Sequence, residues 1–312
     1  DRFVYVRGLG ERYSAALMNG SPLPSPEPLQ RVVPLDLFPN NVLESVVVQK
    51  TYSAKYPGEF GGGLIDLQTV SVPKEPFFSF SAGSGGNTET TFKDAVTYDG
   101  GDWDLLGFDD NTRRMPGALR EAVATGQRVD AGAFTPEQLQ QIGRSLANAP
   151  VNLLQRTTDL QPDFNVELTG GRSFETGWGS LGFVAVGGFE NAWRSRSGKQ
   201  QEGFVVSGTI EPRTDYDFVS TQNDAILNGL IGLGAEWENH RIGLTNMYIH
   251  TTSKEARSRA GNDELAGAFV RDDFTEWFER ELFDTQLSGS HTFGSLAVDW
   301  RGSFATTSRD AP

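Results

Sequence analysis

The sequence predicts a mainly β fold, and three observations predict it. From Phe77 onward, apolar and polar residues alternate with a period of two, which places successive side chains on opposite faces of a strand. The alternating runs are joined by segments that are short and long in turn. The runs are also longer than the about 5–6 residues typical of strands in soluble sheets. Together these features indicate an antiparallel sheet of long strands.

Composition limits the classes of function that the chain can have. It has 312 residues, no cysteine, a formal net charge of −14 and a mean hydropathy of −0.39. The acidic balance argues against a nucleic-acid partner, because a phosphate backbone requires a basic surface. The absence of cysteine excludes disulfides and cysteine-based metal sites. Since no secretory leader is visible at residue 1, we expect the chain to begin within a longer protein.

Hydropathy does not decide whether the chain meets a membrane. No stretch approaches the roughly 20 consecutive apolar residues of a membrane-spanning helix. A strand of a membrane barrel alternates, so its mean hydropathy is unremarkable. A soluble antiparallel sheet gives the same alternation, which leaves both interpretations open. The apolar positions that share one face in the four clearest runs are Phe164, Val166, Leu168 and Gly170; Leu181, Phe183, Ala185, Phe189 and Trp193; Ala225, Leu227, Ile231, Leu233 and Trp237; and Leu296, Val298, Trp300 and Phe304.

The connections favour a barrel. The short ones are 175–180, 238–240 and 293–294, and the long ones run from about 85 to 160, 196 to 217 and 256 to 275. Short turns at one end and long loops at the other are typical of outer-membrane barrels. Trp178 and Trp237 fall near the short turns and Trp193 near the opposite end, as in aromatic girdles at two interfaces. Ordinary aromatic residues at a sheet edge would give the same positions.

The first long loop contains a predicted helix. Thr135 is followed by Pro136 and, at the third helical position, by Gln138, which is the pattern of a capping box. Leu139, Ile142 and Leu146 then give the helix one apolar stripe.

The first 72 residues differ from the rest in composition and in hydrophobic pattern. They are punctuated by proline and glycine, with short apolar runs at 46–48 and 64–67 that predict well-buried strands, and Pro73 and Pro76 mark a linker. Four blocks follow one another in this region: Val6-Arg7-Gly8, Ala16-Leu17-Met18-Asn19-Gly20, the segment 42–50 (VLESVVVQK) and the segment 56–69 (YPGEFGGGLIDLQT). In this order they resemble the plug domain of TonB-dependent receptors. The chain departs from the family pattern at Val47, where a second acid is common, and at Thr51, where glycine is common.

The resemblance implies a fold in two domains. Residues 1–72 would be the C-terminal part of a small α+β plug domain, and residues 73–312 the N-terminal part of an antiparallel transmembrane β-barrel. The chain would supply about 7 of the roughly 22 strands of such a barrel. The three long connections near 85–160, 196–217 and 256–275 would then be extracellular loops.

The resemblance also implies location, partners and function. Such receptors lie in the bacterial outer membrane, in contact with its lipid, and capture a scarce ligand: a ferric siderophore, cobalamin or an oligosaccharide. Uptake is energised by the periplasm-spanning TonB protein, which engages an N-terminal box that this chain does not contain. The residues expected to contact ligand are Arg7, Glu11, Arg12, Tyr13, Ser21, Leu23, Trp103 and Phe108. Lys50 is expected either to pair across the plug–barrel boundary with Glu167 or Glu236, or to be a plain surface lysine.

Other motifs predict no chemistry. The carboxylates between Asp99 and Asp110 could hold calcium, but they do not have the spacing of an EF-hand loop, which favours an acidic, solvent-exposed loop. The three histidines lack metal-ligand spacing, and the glycines at 83–86 precede no helix that could hold a phosphate. We therefore expect no catalytic residues, no metal and no cofactor, and a protein that is not an enzyme. The alternative to a receptor is a secreted all-β carbohydrate-binding module, and the third possibility is an enzyme on a β-scaffold.

Overall fold

The computed structural model describes residues 14–25, 38, 40–52, 63–69, 73–206 and 208–312. Within these ranges the predicted mainly β fold is confirmed, because the strands form a four-stranded sheet, a seven-stranded antiparallel sheet and a two-stranded pair. None of the helices in the same ranges is long and apolar enough to cross a membrane.

The four-stranded sheet, here called the mixed sheet, has the strand order β2-β1-β4-β3. β1 and β4 run parallel, and the other two pairs are antiparallel. Leu64 and Ile65 of the central strand β4 are buried, as predicted, but Val46, Val47 and Val48 are 44–49% exposed. The prediction of burial at 46–48 is therefore wrong, because β3 is an edge strand. The strands are β1 (Ser14–Met18), β2 (Ser21–Pro22), β3 (Leu43–Gln49) and β4 (Gly63–Thr69).

The seven-stranded sheet, here called the large sheet, contains the predicted number of strands. Its order is β13-β12-β11-β10-β9-β8-β5, every pair is antiparallel, and β5 and β13 are its two edges. Its strands are β5 (Phe77–Gly85), β8 (Asp163–Glu175), β9 (Ser180–Val206), β10 (Thr209–Trp237), β11 (His240–Asp263), β12 (Ala268–Phe293) and β13 (Leu296–Asp310).

The short turns of the large sheet lie where they were predicted, but two of the long loops do not exist as loops. β8–β9, β10–β11 and β12–β13 are joined by two to four residues, and this end is called the short-turn end. Residues 196–217 and 256–275, predicted as long loops, are instead mostly strand. β9 and β10 stay paired up to Val206 and Thr209, and β11 and β12 up to Asp263 and Ala268. The ladder continues because backbone pairing does not require an apolar face. The end of the large sheet opposite the short-turn end is called the far end.

The remaining long connection, residues 86–162 between β5 and β8, is called the insert. It contains the pair β6 (Ala95–Thr97) and β7 (Gln155–Thr157) and three helices, α1 (Gly117–Ala124), α2 (Pro136–Ser145) and α3 (Ala149–Asn152). The predicted capping box is confirmed: Thr135 accepts from the Gln138 amide, and the Gln138 side chain accepts from the Thr135 amide. Of the predicted apolar stripe, Ile142 is buried, whereas Leu146 is half-exposed.

Side-chain alternation gives the large sheet two faces with different neighbours. The inner face contacts the mixed sheet, and the outer face is its opposite. The main apolar core lies between the mixed sheet and the inner face. Burial of each large apolar side chain there stabilises the contact between the two sheets by about 1.5–3 kcal/mol. Its members are Ala16, Met18, Leu23, Phe38, Val42, Ile65 and Leu67 on one side and Val184, Val186, Leu230, Met247, Ile249 and Leu282 on the other.

Candidate functional site

A hydrogen-bonded latch joins the mixed sheet to the inner face at the turn between β1 and β2. The Asn19 side chain donates to Thr69 Oγ1 at 2.9 Å and to Gln286 Oε1 at 3.1 Å. Gln286 Nε2 donates in turn to the Met18 carbonyl at 3.0 Å, and Arg301 Nη1 to the Asn19 carbonyl at 3.0 Å. The latch therefore fixes the height of the mixed sheet against β12 and β13.

The Asn19-Gly20 pair is suited to this turn for two physical reasons. Both residues have positive φ, +49° and +79°, a conformation that asparagine and glycine tolerate best. A Cβ on Gly20 would also lie 1.7 Å from Arg301 Nη1. Glycine is thus required both for the backbone conformation and for the approach of the arginine.

Asp284 is an unusual member of the boundary between the sheets. It lies on the inner face in register with Met247 of β11, and it is 1% exposed. Neither carboxylate oxygen has a hydrogen-bond partner within the part of the chain that the structure describes. Leaving a buried polar group without a partner costs about 1–3 kcal/mol, and more when it is charged. Asp284 therefore weakens a boundary that the apolar core stabilises.

A cavity of about 1200 Å³ lies at the short-turn end, between the mixed sheet and the inner face. Polar and charged side chains contribute much of its lining. Arg241 and Glu236, which face it, form an ion pair of 3.1 Å. Further polar groups that line it are Asn19, Glu44, Gln68, Thr69, Gln286, Asp299 and Arg301.

Toward the far end, the inner face carries guanidinium groups stacked on aromatic rings. Such stacking attracts each guanidinium to the face of its ring and holds the arginine side chain in place. One of these arginines, Arg259, also pairs with Asp272 at 2.8 Å. The stacked pairs, with the distance from Cζ to the ring centroid, are Arg257–Phe274 at 4.8 Å, Arg259–Tyr216 at 4.6 Å and Arg309–Phe278 at 4.3 Å.

The outer face carries an apolar belt that no described residue covers. It lies in the half of the large sheet nearer the short turns, and every strand of the sheet except β11 contributes side chains to it. The belt side chains are 38–73% exposed, although each is large and apolar. They are Phe78, Phe80, Val166, Leu168, Phe174, Leu181, Phe183, Ile231, Leu233, Phe283, Leu287, Leu296, Val298, Trp300 and Phe304.

Aromatic rings border the belt at the short-turn end. Trp178 and Trp237, predicted at this end, have ring centroids 6.1 Å apart. Two histidines join the same group: the His240 ring is 5.6 Å from Trp237 and 5.3 Å from His291. Trp193, expected as a girdle residue at the other end, is half-buried, and its ring N–H is enclosed without a described partner.

The insert is fixed to the outer face by a buried ion network above the belt. Arg113 binds Asp104 through both Nη atoms, at 2.8 and 2.5 Å, and Asp109 through Nη1 at 3.0 Å. Lys254 of β11 reaches Asp104 at 2.7 Å. The Arg113 guanidinium stacks 3.8 Å from the Trp277 ring. The network therefore joins the insert to β11 and β12.

Tyr98 and His250 complete the attachment of the insert. Tyr98 is 1% exposed and donates to the Glu276 carbonyl at 2.9 Å, and burial raises the pKa of Tyr98 to about 12. His250 Nε2 and Thr252 Oγ1 both reach the Gly107 carbonyl. Phe108 stacks on the His250 ring with centroids 4.2 Å apart.

The structure corrects several predictions for site residues. Ser21 and Leu23, expected at a ligand-binding apex, are 4% and 8% exposed, because the chain after Gly20 turns back against the inner face. Phe108, expected to contact ligand, packs on His250 instead. Trp103 is exposed, as expected of a surface contact. Arg7, Glu11, Arg12 and Tyr13 lie outside the described residues.

Lys50 was expected either to pair with Glu167 or Glu236 or to be a plain surface lysine, and its surroundings among the described residues match the second alternative. Lys50 is exposed and, among the described residues, makes no ion pair with either predicted carboxylate. Glu236 pairs with Arg241, and Glu167 accepts a long hydrogen bond from Thr169 at 3.4 Å. The acidic segment 99–110 also differs from the expected solvent-exposed loop, because Asp104 is buried in the ion network. No group of three or more His, Cys, Asp or Glu residues that could hold a metal occurs in the described ranges.

Sequence reasoning missed the residues that join the parts of the molecule. Asn19 was noted only as part of a motif, and its partners Gln286 and Arg301 were not singled out. Period-two alternation could have indicated these two residues, because it places both of them on the polar face of their strands. Arg113 and Lys254 were also missed, although each is a cation whose partners are acids of the 99–110 segment.

Comparison of the chain with protein-family models and with curated proteins finds no significant match. The functional assignment therefore rests on the two faces of the large sheet and on what each of them contacts.

Proposed function

We propose that this chain is part of a TonB-dependent receptor of the bacterial outer membrane. In this proposal the large sheet is a section of the transmembrane barrel and the mixed sheet is the plug in its lumen. The observation that carries the proposal is the apolar belt of the outer face, which is exposed while the inner face is packed. Soluble monomers rarely expose contiguous apolar patches larger than a few hundred Å². Lipid is the solvent that such a surface suits.

The height of the belt supports this proposal. From Leu296 to Phe304, both belt residues of β13, there are eight residue steps, which at about 3.3 Å each give about 26 Å along the strand. Outer-membrane barrels carry an apolar band of about 25 Å, flanked by aromatic residues at the interfaces. The ring cluster around Trp237 lies at the short-turn border of the belt, where a periplasmic interface would be.

The edges of the large sheet support a larger barrel. β5 and β13 are not paired with each other, and among the described strands neither has a partner along its outer side. A membrane requires every backbone polar group to be paired, which a closed barrel achieves. In the proposal, further strands continue from these edges toward a total of roughly 22.

The proposed activity is energy-coupled uptake of a scarce ligand of the siderophore, cobalamin or oligosaccharide class. The polar, arginine-bearing inner face at the far end would meet the ligand first. The cavity at the short-turn end would be the space that the ligand enters when the plug is displaced. In this proposal the force for uptake comes from the TonB protein.

Lipid exposure is tested with single spin labels, because the chain contains no cysteine that would interfere. Labels at Phe183 and Val298 of the full-length protein in lipid nanodiscs should show high oxygen and low nickel-complex accessibility. The matched control is Val184, the neighbour of Phe183 on the inner face, which is 0% exposed. A label there should be shielded from both reagents.

Two outcomes would overturn the proposal. One is a water-like signal at Phe183 and Val298, with high accessibility to the nickel complex. The other is a folded, monodisperse protein in buffer without detergent, which would favour the secreted carbohydrate-binding module instead.

A further inference from the structure

The insert docks on the outer face directly above the apolar belt. The Leu105 carbonyl accepts from Asn191 Nδ2 at 3.1 Å, and Gly107 lies so close to Ala225 that a Cβ there would approach it to 3.0 Å. Asn191 and Ala225 are paired residues of β9 and β10. Four residues nearer the short turns, the outer-face position of Gly187 has open space above it. The lower border of the insert therefore coincides with the upper border of the belt.

A corner of the insert at this border is apolar and exposed. Trp103, Leu105 and Leu106 are 56%, 45% and 44% exposed. Asp104, within the same short 3-10 turn, is 8% exposed, because its carboxylate is held by Arg113. The turn thus buries its charged residue and leaves its three large apolar residues outside.

The position of this corner is fixed rather than adjustable. The charged groups that hold it, Arg113, Asp104 and Lys254, are 7–9% exposed. The Gly107 carbonyl beside it is held by His250 and Thr252, both on the outer face. A surface with this many attachments to β11 cannot withdraw from the belt without breaking buried ion pairs.

We infer that Trp103, Leu105 and Leu106 insert into the headgroup–acyl boundary of the membrane leaflet at the far end. The inference rests on the proposed function, since it requires the belt to lie in lipid. Continuity with the belt is what selects lipid over a protein partner: the corner extends the same exposed apolar surface. Tryptophan is enriched at this boundary because its ring is apolar and its N–H is polar. Trp103 thereby takes the girdle position that the half-buried Trp193 does not occupy.

The test uses single spin labels at Leu105 and Leu106 in the full-length protein, in nanodiscs of phosphatidylcholine and phosphatidylglycerol. An interfacial group lies about 5–10 Å into the headgroup–acyl region. Nickel-complex accessibility at both positions should therefore be severalfold below that of a label at Ile210, which is 75% exposed at the far-end hairpin. A label at Ile231, in the middle of the belt, provides the lipid reference. Protease resistance of the insert shows whether each labelled variant is still docked.

The outcomes separate this inference from the proposed function. If Ile231 reports lipid while Leu105 and Leu106 match the water-exposed Ile210, the corner does not contact the membrane and the inference is wrong. If Ile231 itself reports water, the proposed function fails first. Interfacial signals at Leu105 and Leu106 together with a lipid signal at Ile231 support both.

Discussion

Replacement of Asp104 by asparagine should release the insert from the outer face. The side chain keeps its shape but loses its charge. Arg113 then keeps Asp109 as its ion-pair partner, whereas Lys254 loses its ion pair and keeps its hydrogen bond to the Asp99 carbonyl. Breaking a buried ion pair by removing one partner costs about 3–5 kcal/mol. Removing Lys254 instead, as Lys254→Met, should cost less, because the bidentate Arg113–Asp104 pair remains.

Hydrogen exchange measures this effect where it occurs. Since about 1.4 kcal/mol corresponds to tenfold in an equilibrium constant, Asp104→Asn should speed exchange in the segment 101–113 by about a hundredfold or more. Amides of β12 around Leu282 lie in the other interface and should exchange as before. Equal exchange of the segment 101–113 in both proteins, or a larger effect of Lys254→Met, would refute the reasoning.

Three further changes probe the latch, the belt and the buried phenol. Gly20→Val combines an unfavourable φ with loss of the Arg301 hydrogen bond, so it should expose the mixed sheet to protease more than Arg301→Ala does; equal effects would contradict this. Ile231→Lys should lower barrel stability in vesicles by about 2–4 kcal/mol, as for a cation at mid-bilayer, whereas Ile210→Lys should be neutral. Burial raises the pKa of Tyr98 from 10.0 to about 12. The neutral phenol therefore adds to the free energy of unfolding fully below pH 10, and this stabilisation is lost as pH rises toward 12. Tyrosinate absorbance of the wild type against Tyr98→Phe measures that titration, and ionisation near pH 10 would disprove it.

The strands could be predicted wherever one face is apolar, and not where both are polar. In β9, Leu181, Phe183 and Ala185 alternate with smaller or buried residues, so period two marks the strand. From Ser197 to Gly203 the same strand has polar residues or glycine on both faces, so the apolar signal is interrupted while backbone pairing persists. This is why residues 196–217 and 256–275 were predicted as loops.

The contacts between parts of the molecule could not be predicted from local pattern. Asn19 and Gln286 are 267 residues apart in sequence, and Arg113 and Trp277, whose side chains stack, are 164 residues apart. The α2 cap could be predicted because all its partners lie within four residues. Local sequence pattern therefore predicts helix caps and the two faces of a strand. The latch and the ion network cannot be predicted in this way, because they depend on which strands lie side by side in the fold.

The boundary between the sheets contains groups that stabilise it and one, Asp284, that destabilises it. Separation of the mixed sheet must expose the apolar core, but the latch hydrogen bonds can be exchanged for bonds to water. Asp284 gains from separation, because its carboxylate would then be hydrated. The residue thus lowers the free energy needed to displace the mixed sheet, as a plug that must move would require.

Asp284→Asn tests this role, since it removes the charge and keeps the shape. Asparagine leaves a polar group at the same buried position, so the boundary gains only the additional cost of the charge, and exchange of the β4 amides should slow by roughly severalfold. Gln286→Leu, a neighbouring change on the same face that removes hydrogen bonds to Asn19 and Met18, should have the opposite effect. Unchanged or faster β4 exchange in Asp284→Asn would mean that the carboxylate does not weaken the boundary. In a receptor of the proposed kind, the tightened boundary should also raise the force needed to extract the plug.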